Sequence, residues 1–136
     1  MIDEIVVYTD KNMMDIFAIH NYISNKSYWG KGRTIEQVAK TIEMSFCFGI
    51  FIDGEQVGFT RVLSDTVSFA YVLDLYVLEE YRGKGLSRIL IESMLNHEEL
   101  QTVNWLLGTN DTHGLYEKYG FAKVEDPNRF MRKRAG

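Results

Sequence analysis

The chain has 136 residues, 46% hydrophobic and 25% charged, which suits one compact domain spanning residues 1–136. Its formal net charge of −4 argues against a nucleic-acid partner, because such proteins bind phosphates mainly through Lys and Arg. There is no apolar stretch of membrane-spanning length, no basic region at the start and no second cysteine to pair with Cys47, so we expect a cytoplasmic protein with no membrane partner.

Stretches rich in β-branched and aromatic residues predict the strands. Five of them follow in chain order, residues 4–9, 46–52, 56–63, 69–77 and 103–108. Asp53-Gly54 lies between the second and third stretches and is typical of a hairpin turn, which favours an antiparallel meander. Two shorter stretches, residues 121–124 and 129–133, are predicted to close the chain as a last hairpin.

Apolar side chains at helical spacing predict four helices. The first covers residues 15–23, and the second begins at Thr34, where Gln37 three residues later completes a capping-box pattern. The third begins at a glycine-rich loop near residue 86, and the fourth is short, with Asp111 as its expected cap. The resulting order, β-α-α-β-β-β-α-β-α-β-β, predicts an α+β layered domain with a central mixed, mostly antiparallel sheet flanked by helices.

The most informative segment is Tyr-Arg-Gly-Lys-Gly-Leu-Ser-Arg at residues 81–88. It joins a strand to a helix through two glycines, and a helix N-terminus reached through glycines is suited to binding phosphate. Two common phosphate loops are excluded by the sequence. Lys84 is followed by Gly85 rather than by Ser or Thr, and Arg88 stands where a dinucleotide-binding motif needs glycine.

The segment instead fits the pattern R-x-x-G-x-[GA] from Arg82 to Ser87, with serine at the last position. This pattern resembles the pyrophosphate-binding motif of the GNAT superfamily of acyl-CoA-dependent N-acyltransferases. Residues 115–121, Leu-Tyr-Glu-Lys-Tyr-Gly-Phe, are similar to the Y-x-x-x-G-F signature of the same superfamily, and the predicted element order matches its layout along the whole chain. Residues 27–33 and 108–116 are also similar to small stand-alone bacterial members with unassigned substrates.

The resemblance implies acetyl-CoA (coenzyme A) as the cofactor. The residues implied to bind it lie on the fourth strand, in the glycine loop and after the fifth strand: Leu75, Tyr76, Val77, Arg82, Gly83, Lys84, Gly85, Leu86, Ser87, Arg88 and Asn110. Main-chain amides of the loop would hold the pyrophosphate, and its cations would offer charge to phosphates. The main chain of the fourth strand would contact the pantetheine arm where it separates from the fifth strand.

Tyr116 is implied to be the general acid that protonates the departing thiolate. The general base stays open among residues of suitable type, Asp74, Glu79, Glu80, Asp65, Glu43 and His113, or water. The link between the first two helices overhangs the acceptor site in the resembling family, so Tyr28, Trp29 and Arg33 are candidate substrate residues, together with Asp74 on the fourth strand. Arg33 would suit a carboxylate and Trp29 an apolar acceptor, and the sequence does not choose between them.

These expectations describe an N-acetyltransferase that moves an acetyl group to a primary amine of a small molecule or peptide by direct attack in a ternary complex. The alternative is a non-catalytic acyl-CoA-binding sensor or protein-interaction module. Phosphoryl transfer is disfavoured, because no hydroxyl residue follows Lys84. No residue spacing predicts a metal site, and the resemblance leaves a homodimer open.

Overall fold

A computed structural model of the chain describes residues 4–109 and 112–135. These residues form one sheet of five strands, which are β1 (Ile5–Tyr8), β2 (Phe46–Ile52), β3 (Glu55–Ser64), β4 (Phe69–Val77) and β5 (Asn104–Leu106). The strands lie in sequential order, and each pairs antiparallel with the next except β4 and β5, which are parallel. The mixed, mostly antiparallel sheet predicted from the sequence is confirmed.

The described part of the chain contains four α-helices, α1 (Ile16–Asn25), α2 (Ile35–Glu43), α3 (Leu86–Leu95) and α4 (His113–Glu117). The capping box of α2 is formed in full, because Thr34 and Gln37 each accept a hydrogen bond from the other's backbone amide. Asp111, the expected cap of α4, lies outside the described residues. None of the helices in the described ranges is long and apolar enough to cross a membrane.

The sheet separates two apolar clusters because alternate side chains of a strand point to opposite faces. On one face, α3 packs Leu90, Ile91 and Met94 against Phe48 and Ile50 of β2. On the other face, α1 and α2 cover a cluster that contains Cys47 of β2, together with Phe59 and Tyr76 of the next two strands. The chain therefore forms three layers, helix, sheet and helix, as expected.

A β-bulge interrupts the pairing of β3 with β4. Phe59 pairs with Tyr76 and Arg61 pairs with Leu73, so three steps along β4 oppose two steps along β3. Asp74 lies inside the bulge and has a φ of 55°, which is uncommon for a residue with a side chain. Regular alternation would place Asp74 on the α3 face with Val72, but the bulge turns its carboxylate toward the face covered by α1 and α2.

The predicted C-terminal hairpin is wrong for the described residues, since residues 121–124 and 129–133 form no strand. This segment contains only a 3₁₀ turn at Pro127–Arg129, where Asp126 Oδ1 accepts a hydrogen bond from the Asn128 amide at 3.1 Å. Val124, Phe130 and Met131 are 43%, 57% and 98% exposed, so no neighbouring element in the described ranges covers these side chains. An isolated two-stranded hairpin is only marginally stable, and Pro127 between the two stretches has no amide to donate.

Candidate functional site

A cleft opens where β4 and β5 separate. The two strands pair only as far as Tyr71 and Leu106, so the β5-facing edge of residues 72–77 has no strand partner among the described residues. The opposite edge of this stretch pairs with β3. Leu75, Tyr76 and Val77 lie in this stretch. Apart from the Val77 carbonyl, which accepts from Arg82 Nε, its main-chain groups on this edge are available to a ligand.

The glycine-rich loop follows the end of β4 and leads into α3. Gly83 and Gly85 have φ angles of 80° and 79°, and a Cβ placed on either would meet no protein atom within 4 Å. The first helical hydrogen bond of α3 runs from Ile89 N to Gly85 O at 3.3 Å, which leaves the amides of residues 86–88 for another acceptor. Backbone conformation, open space and unpaired amides therefore fit a bound pyrophosphate.

The three cations of the loop segment have different surroundings. Arg82 donates from Nε to the Val77 carbonyl at 3.0 Å and from Nη2 to the Tyr22 hydroxyl at 2.9 Å, so it braces the loop against β4 and α1. Lys84 Nζ lies 5.6 Å from the centre of the Tyr81 ring. Arg88 donates from Nε to the Tyr119 hydroxyl at 3.4 Å. Sequence reasoning missed Tyr22, because nothing in its local pattern links α1 to the loop.

Tyr116 lies in α4 and is 7% exposed. Burial raises the pKa of its phenol to about 12, so the hydroxyl stays protonated at neutral pH. Its ring packs edge-to-face on Phe121 with centroids 5.7 Å apart, and its hydroxyl has no hydrogen-bond partner within residues 4–109 and 112–135. Tyr116 also lines a cavity of about 410 Å³ bounded by β5, α4 and residues 121–127. The cavity is lined by β5 and α4, and neither β4 nor the glycine loop contributes to its lining.

Two candidate bases are engaged elsewhere. Asp65 lies before the start of β4, at the far end of the strand from Val77, and accepts hydrogen bonds from the amides of Val67 and Ser68. A hydrogen bond from the Ser68 hydroxyl, followed by these two backbone bonds, lowers the pKa of Asp65. Glu43 at the end of α2 lies 3.7 Å from Lys40.

The other candidate bases lie closer to the cleft and to Tyr116. His113 is one turn before Tyr116, and its Nε2 is 2.9 Å from the Thr109 carbonyl. Glu79 and Glu80 follow β4 and line a cavity of about 470 Å³ with Lys26 and Arg82. Within the described ranges, no group of three or more His, Cys, Asp or Glu side chains is arranged to hold a metal ion.

A buried charged cluster joins the α1–α2 loop to the bulge of β4. Both carboxylate oxygens of Asp74 are occupied, because Oδ1 accepts from Trp29 Nε1 at 2.7 Å and Oδ2 accepts from Arg61 Nε at 2.6 Å. Arg33 Nη1 approaches the same Oδ2 at 3.2 Å. The side chain of Asp74 is 3% exposed, so its carboxylate is shielded from solvent, whereas 24% of the Arg33 side chain is exposed.

Aromatic rings surround this cluster. Tyr28 packs edge-to-face on Trp29 with centroids 5.1 Å apart, and Tyr22 stacks on Tyr76 at 4.0 Å. The structure brings Tyr28, Trp29, Arg33 and Asp74 together, and it adds Arg61, which the sequence analysis missed. The signal that could have identified it is a charged residue within a strand flanked by apolar residues. Asn110, a predicted cofactor residue, lies outside the described residues.

Comparisons with known proteins agree with this geometry. Residues 43–123, more than half of the chain, match the family model of the acetyltransferase (GNAT) domain. A GNAT-family protein from Xanthomonas campestris pv. campestris has a crystal structure that is 40% identical, with a TM-score of 0.94 over 97% of this chain and 94% of that one. FG08082 of Gibberella zeae, an acetyltransferase by name, is 29% identical over 131 residues, covering 79% of this chain and 73% of that protein. A Clostridium acetobutylicum protein solved with acetyl-CoA shares the fold, with a TM-score of 0.70 and 10% identity over 98% and 96% of the two chains.

Proposed function

The chain belongs to the GNAT family of acetyltransferases, with acetyl-CoA as its cofactor, and we propose that it acetylates a primary amine of a small molecule or peptide. The observation that carries this proposal is the cleft between β4 and β5, which leads to a glycine loop with unpaired helix amides. An extended ligand with a pyrophosphate at one end suits this arrangement, since main-chain groups are available along the strand and anion-binding amides at its end.

In this proposal, the amides of Gly83 to Arg88 bind the pyrophosphate, and Lys84 and Arg88 supply positive charge beside it. The main chain of Leu75, Tyr76 and Val77 binds the pantetheine arm. Arg82 contributes mainly by holding the loop, because two of its nitrogens already donate to Val77 and Tyr22. Acetyl-CoA supplies the acetyl group as a thioester, whose carbonyl carbon accepts an amine nucleophile.

Tyr116 is the proposed general acid. Its hydroxyl has no hydrogen-bond partner in the described part of the chain, and burial keeps it protonated, so a proton is available on Oη to a thiolate that comes within reach. General acid catalysis of this kind typically contributes about 10²- to 10⁴-fold in rate. Asn110 is proposed to contact the cofactor.

Asp74 is not the proposed base, because both of its oxygens are taken by Trp29 and Arg61 and its side chain is buried. Water is the simplest proton acceptor for the incoming ammonium. Cys47 is 2% exposed and burial raises its thiol pKa to about 11, which makes it a poor nucleophile. These properties support direct attack by the amine in a ternary complex.

A thiol-release assay with acetyl-CoA tests the proposal. The amine panel contains amino acids, peptides with unmodified N-termini and polyamines, and coenzyme A binding is measured separately by calorimetry. We expect release that depends on one class of amine. Tight binding of coenzyme A without release across the whole panel would contradict transfer and favour the acyl-CoA sensor.

A further inference from the structure

We propose that the acceptor amine carries a carboxylate and that Arg33 binds this carboxylate. The inference rests on the proposed function and adds the substrate class to it. Its basis is the cluster in which Trp29, Arg33, Arg61 and Asp74 meet beneath the α1–α2 loop.

The charges in this cluster do not balance. One carboxylate, Asp74, faces two guanidinium groups, Arg61 and Arg33. Arg61 forms the shorter contact, 2.6 Å against 3.2 Å, and only 8% of its side chain is exposed. Arg33 shares an oxygen that Arg61 already occupies, and 24% of its side chain is exposed. The surplus positive charge is therefore presented to a ligand by Arg33.

Arg33 also has hydrogen-bond donors that the described residues do not use. Its Nη1 contacts Asp74, while Nε and Nη2 have no hydrogen-bond partner among the residues that the structure describes. The planar guanidinium fork matches the two oxygens of a carboxylate, and such charge-assisted pairs are stronger than neutral hydrogen bonds. A ligand carboxylate would thus complete the coordination of Arg33 without displacing the pair between Arg61 and Asp74.

A cationic acceptor is disfavoured at the same place. Asp74 is the cluster's one carboxylate, and both of its oxygens already accept hydrogen bonds while its side chain is 3% exposed. A second ammonium group, as in a polyamine, would meet the surplus positive charge and find no accessible oxygen. The neighbouring cavity does not offset this charge, since it is lined by two cations, Lys26 and Arg82, and two carboxylates, Glu79 and Glu80.

The loop holds Arg33 in place before a ligand arrives. A Cβ placed on Gly30 would lie 2.4 Å from Ile23 Cγ2 and 3.3 Å from Arg33 Cζ, so α1 and the guanidinium both pack closely on Gly30. Buried Ser27 fixes the same turn by donating to the Ile23 carbonyl at 2.6 Å and accepting from the Gly30 amide at 3.0 Å. A preorganised side chain loses less entropy on binding, which favours recognition at this position.

Matched amines that differ in one group test the inference. The first trio is L-phenylalanine, L-phenylalaninamide and phenethylamine, chosen because Tyr28 and Trp29 place aromatic surface beside Arg33. The second is L-lysine, L-lysinamide and cadaverine. In at least one trio we expect kcat/KM for thiol release to be at least tenfold higher for the carboxylate member. Arg33→Gln should abolish this preference mainly by raising KM, and Lys31→Gln, an exposed cation of the same loop, should preserve it.

Calorimetric titration of the same amines into protein saturated with coenzyme A provides a readout that needs no turnover. We expect the carboxylate member to bind wild type and Lys31→Gln at least tenfold more tightly than Arg33→Gln. Equal kcat/KM within both trios, or a carboxylate preference that survives in Arg33→Gln, would overturn the inference while leaving acetyl transfer intact. Arg33-dependent carboxylate binding without thiol release from any amine would instead support the site and overturn the proposed reaction.

Discussion

The indole Nε1 of Trp29 donates a hydrogen bond of 2.7 Å to Oδ1 of Asp74, which lies 45 positions further along the chain. This bond ties the α1–α2 loop to the bulge of β4, at the stretch of the strand that has no β5 partner. The loop over the proposed acceptor side and the strand beside the proposed cofactor cleft are therefore joined by one buried carboxylate. Five variants test what this connection and the neighbouring groups contribute.

Asp74→Asn is expected to destabilise the protein by about 3–5 kcal/mol. Asparagine tolerates the positive φ at this position, so the main loss is the charge that neutralises buried Arg61. Urea unfolding measures the change. Asp53→Asn is the matched control, because Asp53 also has a positive φ of 50° but lies exposed in the β2–β3 turn. Equal losses in the two variants would contradict the role given to the charged cluster.

Trp29→Phe removes the donor to Asp74 and keeps an aromatic ring. We expect a loss of about 1.5–3 kcal/mol in the free energy of unfolding, the range for a hydrogen bond to a charged group. KM for the acceptor should also rise, since the loop loses its link to β4. Tyr28→Phe, which removes a hydroxyl from the 66% exposed neighbour, should stay within about 0.5 kcal/mol of wild type. Wild-type stability and KM in Trp29→Phe would show that the bond is dispensable.

Gly85→Ala is expected to weaken coenzyme A binding at least tenfold. Its φ of 79° strains any residue with a Cβ, and that Cβ would also project into space that the protein leaves open. Gly54→Ala provides the comparison, since Gly54 has a φ of 85°, equally open surroundings and a position in the β2–β3 turn. We expect the two variants to lose similar amounts of unfolding free energy, whereas calorimetry should show weaker coenzyme A binding only in Gly85→Ala. Unchanged affinity in Gly85→Ala would remove the loop from the cofactor site.

Tyr116→Phe should lower kcat for thiol release by about 10²-fold or more and leave the coenzyme A dissociation constant within twofold. Because burial raises the pKa of Tyr116 to about 12, its ionisation should produce no loss of wild-type kcat as the pH rises to 10. A pH series of thiol release, combined with calorimetry on the variant, checks both statements. Undiminished turnover in Tyr116→Phe would exclude the phenol from the reaction.

Cys47 makes stability depend on alkaline pH. Burial raises its pKa from 9.0 to about 11, so between these values the unfolded chain loses the thiol proton while the native protein keeps it. Deprotonation then favours the unfolded chain, and the free energy of unfolding falls as pH rises, by about 2–3 kcal/mol once pH 11 is passed.

Urea unfolding at pH 8, 9 and 10 in wild type and Cys47→Ala isolates this contribution. Wild type should lose more stability than the variant, while Tyr76 and Tyr116, whose pKa values burial also raises, affect both proteins alike. Parallel pH profiles would show that Cys47 ionises equally in the native and unfolded states. The same burial should keep Cys47 from reacting with the reagent used to detect released thiol.

The sequence predicted the strands and helices whose signals are local. The Thr34 and Gln37 pair formed its capping box, and the Asp53-Gly54 turn formed its hairpin, because each depends on neighbours within a few residues. The predicted C-terminal hairpin does not form, because residues 121–133 would become strands only if they had a strand edge to pair with and a surface to bury. Tertiary context, which local patterns do not carry, decided that case.

The candidate site shows the same division. The glycine loop was visible from its composition, but the bracing of Arg82 by Tyr22 joins residues 60 positions apart. The partnership of Arg61 with Asp74 depends on a bulge, and strict alternation along β4 would have placed Asp74 with the α3 core instead. Sequence periodicity can locate a strand, yet it does not show where an extra residue changes which face a side chain meets.

The extra residue in the bulge of β4 reverses the alternation of its side chains. Val72 before the bulge and Val77 after it therefore both face the α3 core, although an odd number of positions separates them, and Asp74 between them faces the α1–α2 loop. Deleting one residue between Leu73 and Tyr76 would remove the bulge and restore regular alternation along the whole of β4. Deleting Leu75 would therefore turn Asp74 away from Trp29 and Arg61 and dismantle the proposed acceptor site, although every side chain of that site would remain in the chain.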